Sequence, residues 1–156
     1  MKILMVCLGN ICRSPLAEGI MSRLIQEQGL DWQVDSAGTG SWHVGEPPDR
    51  RALQTAGSHG IDISHQRARQ FQGEDIRTFD LILTMDTHVH QDVMLQTVDA
   101  GEQSKIDLVL NYLWPGENQS VPDPYYDDDG FEEVFGMLER ACMEVIQKHS
   151  VKVSYK

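Results

Sequence analysis

The chain of 156 residues is 40% hydrophobic and 24% charged, which fits one globular domain with its own core and excludes fibrous or low-complexity classes. Its formal net charge of −11 argues against nucleic acid as a partner, because such binding rests on cationic neutralisation of phosphates. No apolar run approaches the ~18 residues of a membrane span and no signal-like segment opens the sequence, so membrane insertion is not expected. The charge is uneven: residues 1–70 hold seven basic and seven acidic side chains, and the remaining 86 hold six and seventeen. Most of that excess reads as solvated surface, so any anion binding must come from a local site. Three cysteines, an odd number without framework spacing, point to a reducing compartment such as the cytoplasm. None has a CxxC partner or a histidine cluster of the kind that holds zinc, so no metal or other cofactor is expected.

In chain order, residues 2–6 read as a buried strand with Ile3, Leu4, Met5 and Val6 in succession. Residues 7–14 follow as Cys-Leu-Gly-Asn-Ile-Cys-Arg-Ser. Pro15 suits the first position of a helix over 15–28, whose Leu16, Ile20, Met21, Leu24 and Ile25 share a face and which Gly29 closes. Residues 33–36 suit a second strand and 49–56 a helix stopped near Gly57. Residues 79–84 form an apolar run of strand length, 86–97 a helix and 105–110 a short strand. In the last helix Phe131, Val134, Phe135, Leu138, Ala141, Cys142, Val145 and Ile146 recur at helical spacing. The alternation predicts an α/β fold. A single domain over residues 1–156 would hold an open parallel sheet of about four strands, with helices on both faces and a phosphate-binding loop after the first strand. Ligands bind such sheets at the carboxyl ends of the strands, where residues 7–14 lie.

A strand, a tight loop and a helix start, with a thiol first and a guanidinium last, suit a tetrahedral dianion. A bare Cys-x5-Arg spacing arises by chance in ~15% of chains with this composition, so the flanking strand and Ser-Pro helix start carry the signal. Thiolates are the nucleophilic form, and a helix N-terminus with a nearby guanidinium favours them. Cys7 is therefore the candidate nucleophile, held by the backbone N–H groups of Leu8, Gly9, Asn10, Ile11, Cys12, Arg13 and Ser14 and by the Ser14 hydroxyl. Arg13 offers a planar fork for two phosphoryl oxygens. Gly9 permits close approach to the anion or positive φ, and Asn10 tolerates a left-handed conformation. Cys12 lies in the same loop as Cys7. A reversible disulfide between them would protect a redox-sensitive nucleophile, the alternative being a packed thiol without such a role.

Asp123 stands between Pro122 and Pro124, and Pro124 drives it away from helical angles. A carboxyl on a stiff extended segment suits a general acid, while Pro-Asp-Pro is equally compatible with a plain turn.

The sequence resembles the low-molecular-weight protein tyrosine phosphatases. The resemblance rests on 6–15 (Val-Cys-Leu-Gly-Asn-Ile-Cys-Arg-Ser-Pro), 35–39 (Asp-Ser-Ala-Gly-Thr), 42–45 (Trp-His-Val-Gly), 59–61 (His-Gly-Ile) and 65–70 (His-Gln-Arg-Ala-Arg-Gln). It continues through 79–86 (Phe-Asp-Leu-Ile-Leu-Thr-Met-Asp) and 121–126 (Val-Pro-Asp-Pro-Tyr-Tyr), in family order and over nearly the whole chain. It implies hydrolysis of phosphotyrosine through a phosphocysteine on Cys7, with Arg13 on the phosphoryl group and Asp123 as general acid and base. It further implies that Trp42, Tyr125 and Tyr126 border the entrance, that Asn10, Ser36 and His65 brace the loop, and that Asp86 sits near Arg13. Tyrosine-phosphorylated proteins, and a cognate tyrosine kinase, are the partners it implies.

Two departures stand out. Asp127, Asp128 and Asp129 follow the paired tyrosines where many members have glycines, which should stiffen the loop and disfavour substrates with acidic flanks. The asparagine that the family often carries shortly after Met85-Asp86 is absent. Two alternatives share the loop chemistry: an arsenate reductase-like enzyme, which needs further redox cysteines that residues 80–92 lack, and a non-hydrolytic phosphocysteine carrier, which has no use for a placed acid.

Overall fold

The computed structural model describes residues 1–150. The expected domain limits of 1–156 extend past them. Strands Lys2–Cys7 (β1), Gln33–Gly38 (β2), Leu81–Thr84 (β3) and Ile106–Leu108 (β4) form one sheet in the order β2-β1-β3-β4, with every neighbouring pair parallel. Parallel neighbours need crossovers. They are supplied by Arg13–Glu27 (α1), by Arg50–Ser58 (α2) with Asp75–Thr78 (α3), and by Thr87–Met94 (α4) with Ala100–Gln103 (α5). Phe131–Ser150 (α6) follows the last strand. The α/β fold with four parallel strands expected from the alternation is the one observed.

Strand β1 is internal and apolar on both faces, as a covered parallel strand must be. Its pleat sends Ile3, Met5 and Cys7 into a core with Leu16, Ile20 and Met21 of α1 and Phe135, Leu138 and Val145 of α6. Leu4 and Val6 face the opposite core, with Ile76, Ile82, Val89 and Val93. Helices therefore cover both faces.

Boundaries differ from expectation where tertiary contacts decide them. Helix α1 starts at Arg13, so Pro15 is its third residue; its missing N–H still belongs to the first turn, where no intrahelical partner exists. Strand β3 starts at Leu81, because the Asp80 carboxylate takes the Lys2 N–H at 2.8 Å. Strand β4 stops at Leu108, where Val109–Tyr112 tightens into a 3-10 turn. Helices α3 and α5 were not anticipated, since four residues carry no readable periodicity.

The register pairs Cys7 with Gly38, and Val6 with both Ala37 and Thr84, so the loops after β1, β2 and β3 leave the sheet side by side.

Candidate active site

The loop after β1 is shaped by where its carbonyls go. The Cys7 C=O accepts the Thr39 N–H at 3.0 Å, Leu8 C=O the Gly40 N–H at 2.9 Å, and Ile11 C=O the Asp49 N–H at 2.8 Å. The loop's peptides are trans, so each following N–H, on Leu8, Gly9 and Cys12, is turned the opposite way. N–H groups turned away from the neighbouring strands in this manner can cradle an anion. Asn10 makes the bend with φ of 59°, and its own N–H reaches Cys7 Sγ at 3.2 Å. Gly9 does not take positive φ; its lack of a side chain makes room for the His43 ring, whose Cδ2 would lie 3.2 Å from a Cβ. At the end of β2 a Cβ on Gly38 would meet Leu8 O at 2.8 Å, so the strand can brace the loop only through glycine. Helix α1 starts from Cys12 with no side-chain cap.

Behind the loop Ser14 Oγ lies 2.9 Å from Cys7 Sγ. Asn10 Nδ2 donates to Ser14 Oγ at 2.8 Å and to Ser36 Oγ at 3.0 Å, and Asn10 Oδ1 accepts the Arg69 N–H at 3.0 Å. The side chains of Asn10 and Ser14 are thus buried behind the cradle and do not line its opening. His65 is not part of this bracing. It is exposed and lines a separate cavity beside α1 with Glu18 and Arg23. The segment after α2 carries it past the loop, and Asn10 takes its third bond from the Arg69 backbone.

Arg13 is 3% exposed and fixed from one side: Nη1 donates to Asp86 Oδ2 at 2.8 Å and to the Val121 carbonyl at 2.9 Å. Its Nη2 lies 3.6 Å from Asp123 Oδ2. Asp86 also caps α4, accepting the Val89 N–H at 2.8 Å, so one carboxylate orients both a cation and a helix. Asp123 caps the 3-10 turn Pro124–Tyr126 by accepting the Tyr125 N–H at 3.1 Å, and its side chain is 42% exposed. Pro-Asp-Pro is therefore a turn whose capping carboxylate also faces Arg13.

These groups share one cavity of about 310 Å³, with Cys7, Cys12 and Arg13 in its depth and Trp42, Tyr125 and Tyr126 on its rim. Leu8, Gly9 and Ile11 line it as well. Tyr125 and Tyr126 meet edge to face with centroids 4.9 Å apart. Burial pushes the Cys12 thiol far above its usual range, and the nearby Asp49, Cys7 and Asp123 act in the same direction.

Three residues at or near the site were not singled out in the sequence. His43 lines the cavity, with Nδ1 3.0 Å from Glu46 Oε1, and its place in the Trp-His-Val-Gly block was the available signal. Arg51 bonds Asp49 through Nη2 at 2.9 Å and Asp128 through Nη1 at 2.5 Å, and stands 5.5 Å over the Tyr125 ring. It thereby neutralises part of the acidic run after the tyrosines. Glu18 accepts the Ser36 hydroxyl at 2.7 Å. Neither has a local sequence signal for its place at the site, because Ser36 and Asp128, the partners that put them there, lie 18 and 77 residues away. The three cysteines are free, and Cys142 is buried within α6.

The family model for low molecular weight phosphotyrosine protein phosphatase matches residues 2–154. The low molecular weight phosphotyrosine protein phosphatase of Homo sapiens is 40% identical over 151 residues, 94% of each chain. A protein tyrosine phosphatase from Entamoeba histolytica, solved with Hepes in its active site, superposes with a TM-score of 0.90 at 35% identity, covering 97% of this chain and 98% of that one. A Drosophila arginine phosphatase superposes with a TM-score of 0.86 at 33% identity, covering 96% and 98%.

Proposed function

The chain belongs to the low molecular weight phosphotyrosine protein phosphatases, a family of hydrolases, and on that premise we propose that it cleaves protein phosphotyrosine and aryl phosphates through a phosphocysteine on Cys7. The observation that carries this reading is the convergence of Cys7, Arg13 and Asp123 on one cavity with an aromatic rim.

The phosphoryl group enters the cradle with its oxygens on the loop N–H groups and on the face of Arg13 that Asp86 and Val121 leave open. The Cys7 thiolate attacks phosphorus while the bond to the ester oxygen breaks, and Asp123 gives its proton to that departing oxygen. In the second step Asp123 takes a proton from water, the oxygen attacks phosphorus, and the S–P bond breaks to return the thiolate and release phosphate. Tyrosine phenolate is a poor leaving group, its acid having a pKa near ~10, so a placed acid matters for this ester. Ser14 and Asn10 hold the thiolate, and Trp42 and Tyr125 flank an aryl ring. Tyrosine-phosphorylated proteins are then the partners, with a cognate tyrosine kinase as their source. Three free cysteines suit a cytoplasmic setting.

The test is turnover of phosphotyrosine peptide, phosphoserine peptide, phosphoarginine and arsenate by one preparation, together with capture of phosphoproteins on Cys7→Ser. Turnover confined to phosphotyrosine and aryl phosphates is expected. Preference for phosphoarginine would move the substrate class toward that of the Drosophila neighbour, since a guanidinium also stacks on aromatic faces. Arsenate reduction, or a phosphoenzyme that never hydrolyses, would overturn the reading.

A further inference from the structure

The hydrogen bonds behind Cys7 continue beyond Asn10. They run from Cys7 Sγ to Ser14 Oγ (2.9 Å), to Asn10 Nδ2 (2.8 Å), to Ser36 Oγ (3.0 Å) and to Glu18 Oε1 (2.7 Å). Counting protons fixes their direction. Asn10 Oδ1 is committed to the Arg69 N–H, so Nδ2 supplies both of its hydrogens, one to each serine. Each hydroxyl has one hydrogen of its own. That of Ser36 goes to Glu18, and that of Ser14 is left for the Cys7 sulfur. With Cys7 as the thiolate of the proposed mechanism and Glu18 ionised, both ends of the chain are acceptors and both serines donate toward them. Glu18 would ordinarily be a solvated acid on α1. Here it is partly buried, and it takes a hydroxyl rather than a cation.

We propose that Glu18 is a positioning residue for the nucleophile: its ionised carboxylate, through Ser36 and Asn10, holds the Ser14 hydroxyl as a donor to the Cys7 thiolate. This deepens the reading of Cys7 as nucleophile and rests on it. The device is sensitive to pH. Burial raises the Glu18 carboxyl to about 7, with Asp35 adding to the rise and the Ser36 hydrogen bond and Arg69 opposing it. The charged groups around it are Asp35 on β2, Arg69 (itself paired with Asp35 and Asp75), and Arg23, Asp62 and His65 around the second cavity that Glu18 lines. Because the carboxyl is the ionising acid, its grip on Ser36 is full above that value and weakens as pH falls through it. A neutral carboxyl accepts about half as strongly and offers Ser36 a competing donor. The negative charge of Glu18 also acts on the thiolate through space, in the opposite sense and without need of Ser36. The two effects are therefore separable.

The experiment is the rate of Cys7 carboxymethylation by iodoacetate from about pH 5.5 to 8.5, because the thiolate is the reacting form. Wild type is compared with Glu18→Gln, Ser36→Ala and the double variant, and the modified cysteine is located by mass spectrometry. Glutamine keeps a neutral acceptor and does not titrate. Glu18→Gln should react about threefold more slowly above about pH 7.5 and like wild type below about pH 6, and in the Ser36→Ala background the slowing should vanish, leaving only the slight acceleration that loss of its charge produces. Ser36→Thr, which keeps the hydroxyl, should restore the Glu18 effect. Faster alkylation in Glu18→Gln, a slowing that persists without Ser36, or superimposable profiles would overturn the proposal. Hydrolysis of an aryl phosphate, measured on the same wild-type sample, separates failure of this inference from failure of the phosphatase reading.

Discussion

The loop over 7–14, proposed above to hold phosphate, and the loop over 121–130, proposed to supply the acid, face one another across the cavity, and they are built in opposite ways. In the first, Cys7, Asn10, Arg13 and Ser14 are all buried, and both carbonyls and side chains are tied to neighbouring elements. In the second, burial ends at Val121, whose N–H reaches the Met85 carbonyl at 2.7 Å, apart from Pro124; Asp123 is exposed and Tyr126 is 92% exposed. The phosphoryl group needs donors aimed at fixed positions before it arrives, which only a braced interior loop provides. Its leaving group varies in size and must enter and depart, which suits a surface turn held by two prolines and a capping carboxylate. Damage to the first loop should therefore remove the chemistry, and damage to the second should grade it by leaving group.

The largest effects belong to the phosphate loop. Cys7→Ser should abolish turnover while retaining oxyanion binding, since the cradle and Arg13 remain; hydrolysis within about tenfold of wild type would break the covalent mechanism. Arg13→Lys should also fail severely, because a point charge cannot take the Asp86 bond and two phosphoryl oxygens together.

Asp123→Ala probes the acid loop. Its cost for phosphotyrosine should fall in the ~10²–10⁴-fold range of a general acid and shrink for an aryl phosphate with an acidic phenol. A uniform loss across leaving groups would mean that Asp123 only shapes the turn.

Oxidation tests whether the braced loop protects itself. Peroxide converts the Cys7 thiolate to a sulfenic acid, and the Cys12 thiol would displace water from it to form a disulfide that added thiol reduces. Burial disfavours the Cys12 thiolate, so this closure should be slow but sufficient. Cys12→Ser is expected to recover well under half as much activity as wild type after peroxide and reductant; equal recovery would leave Cys12 a packing residue.

Arg51 joins the two loops through Asp49 and Asp128, and its removal should have the smallest effect. The acidic run led to the expectation that substrates with acidic flanks bind poorly, but the cation from α2 offsets part of that field. In wild type at low salt the penalty in kcat/KM for acidic flanks should be about twofold, rising several-fold in Arg51→Gln and fading at physiological ionic strength. An equal penalty in both proteins would show that Arg51 does not shield the entrance.

Local chemistry made several features readable in the sequence: the buried run of β1, the periodicity of α6, the left-handed Asn10 and the thiol and guanidinium bounding one tight loop. Each depends on residues within a turn or two of one another, where spacing and side-chain type are sufficient. The site's supports were not readable in that way. Resemblance supplied Asp86 beside Arg13 and Ser36 near Asn10, but it also suggested His65, which lies beside a different cavity. Arg69 reaches Asn10 through its backbone, which no side-chain identity announces, and Glu18 and Arg51 act on partners 18 and 77 residues away. By itself the sequence determined the longer elements and the loop bounded by a thiol and a guanidinium, because these follow from local periodicity and chemistry. Only the tertiary structure decided which carboxylate faces which hydroxyl or cation, because parallel crossovers bring distant segments together in an order that depends on the packing of both cores.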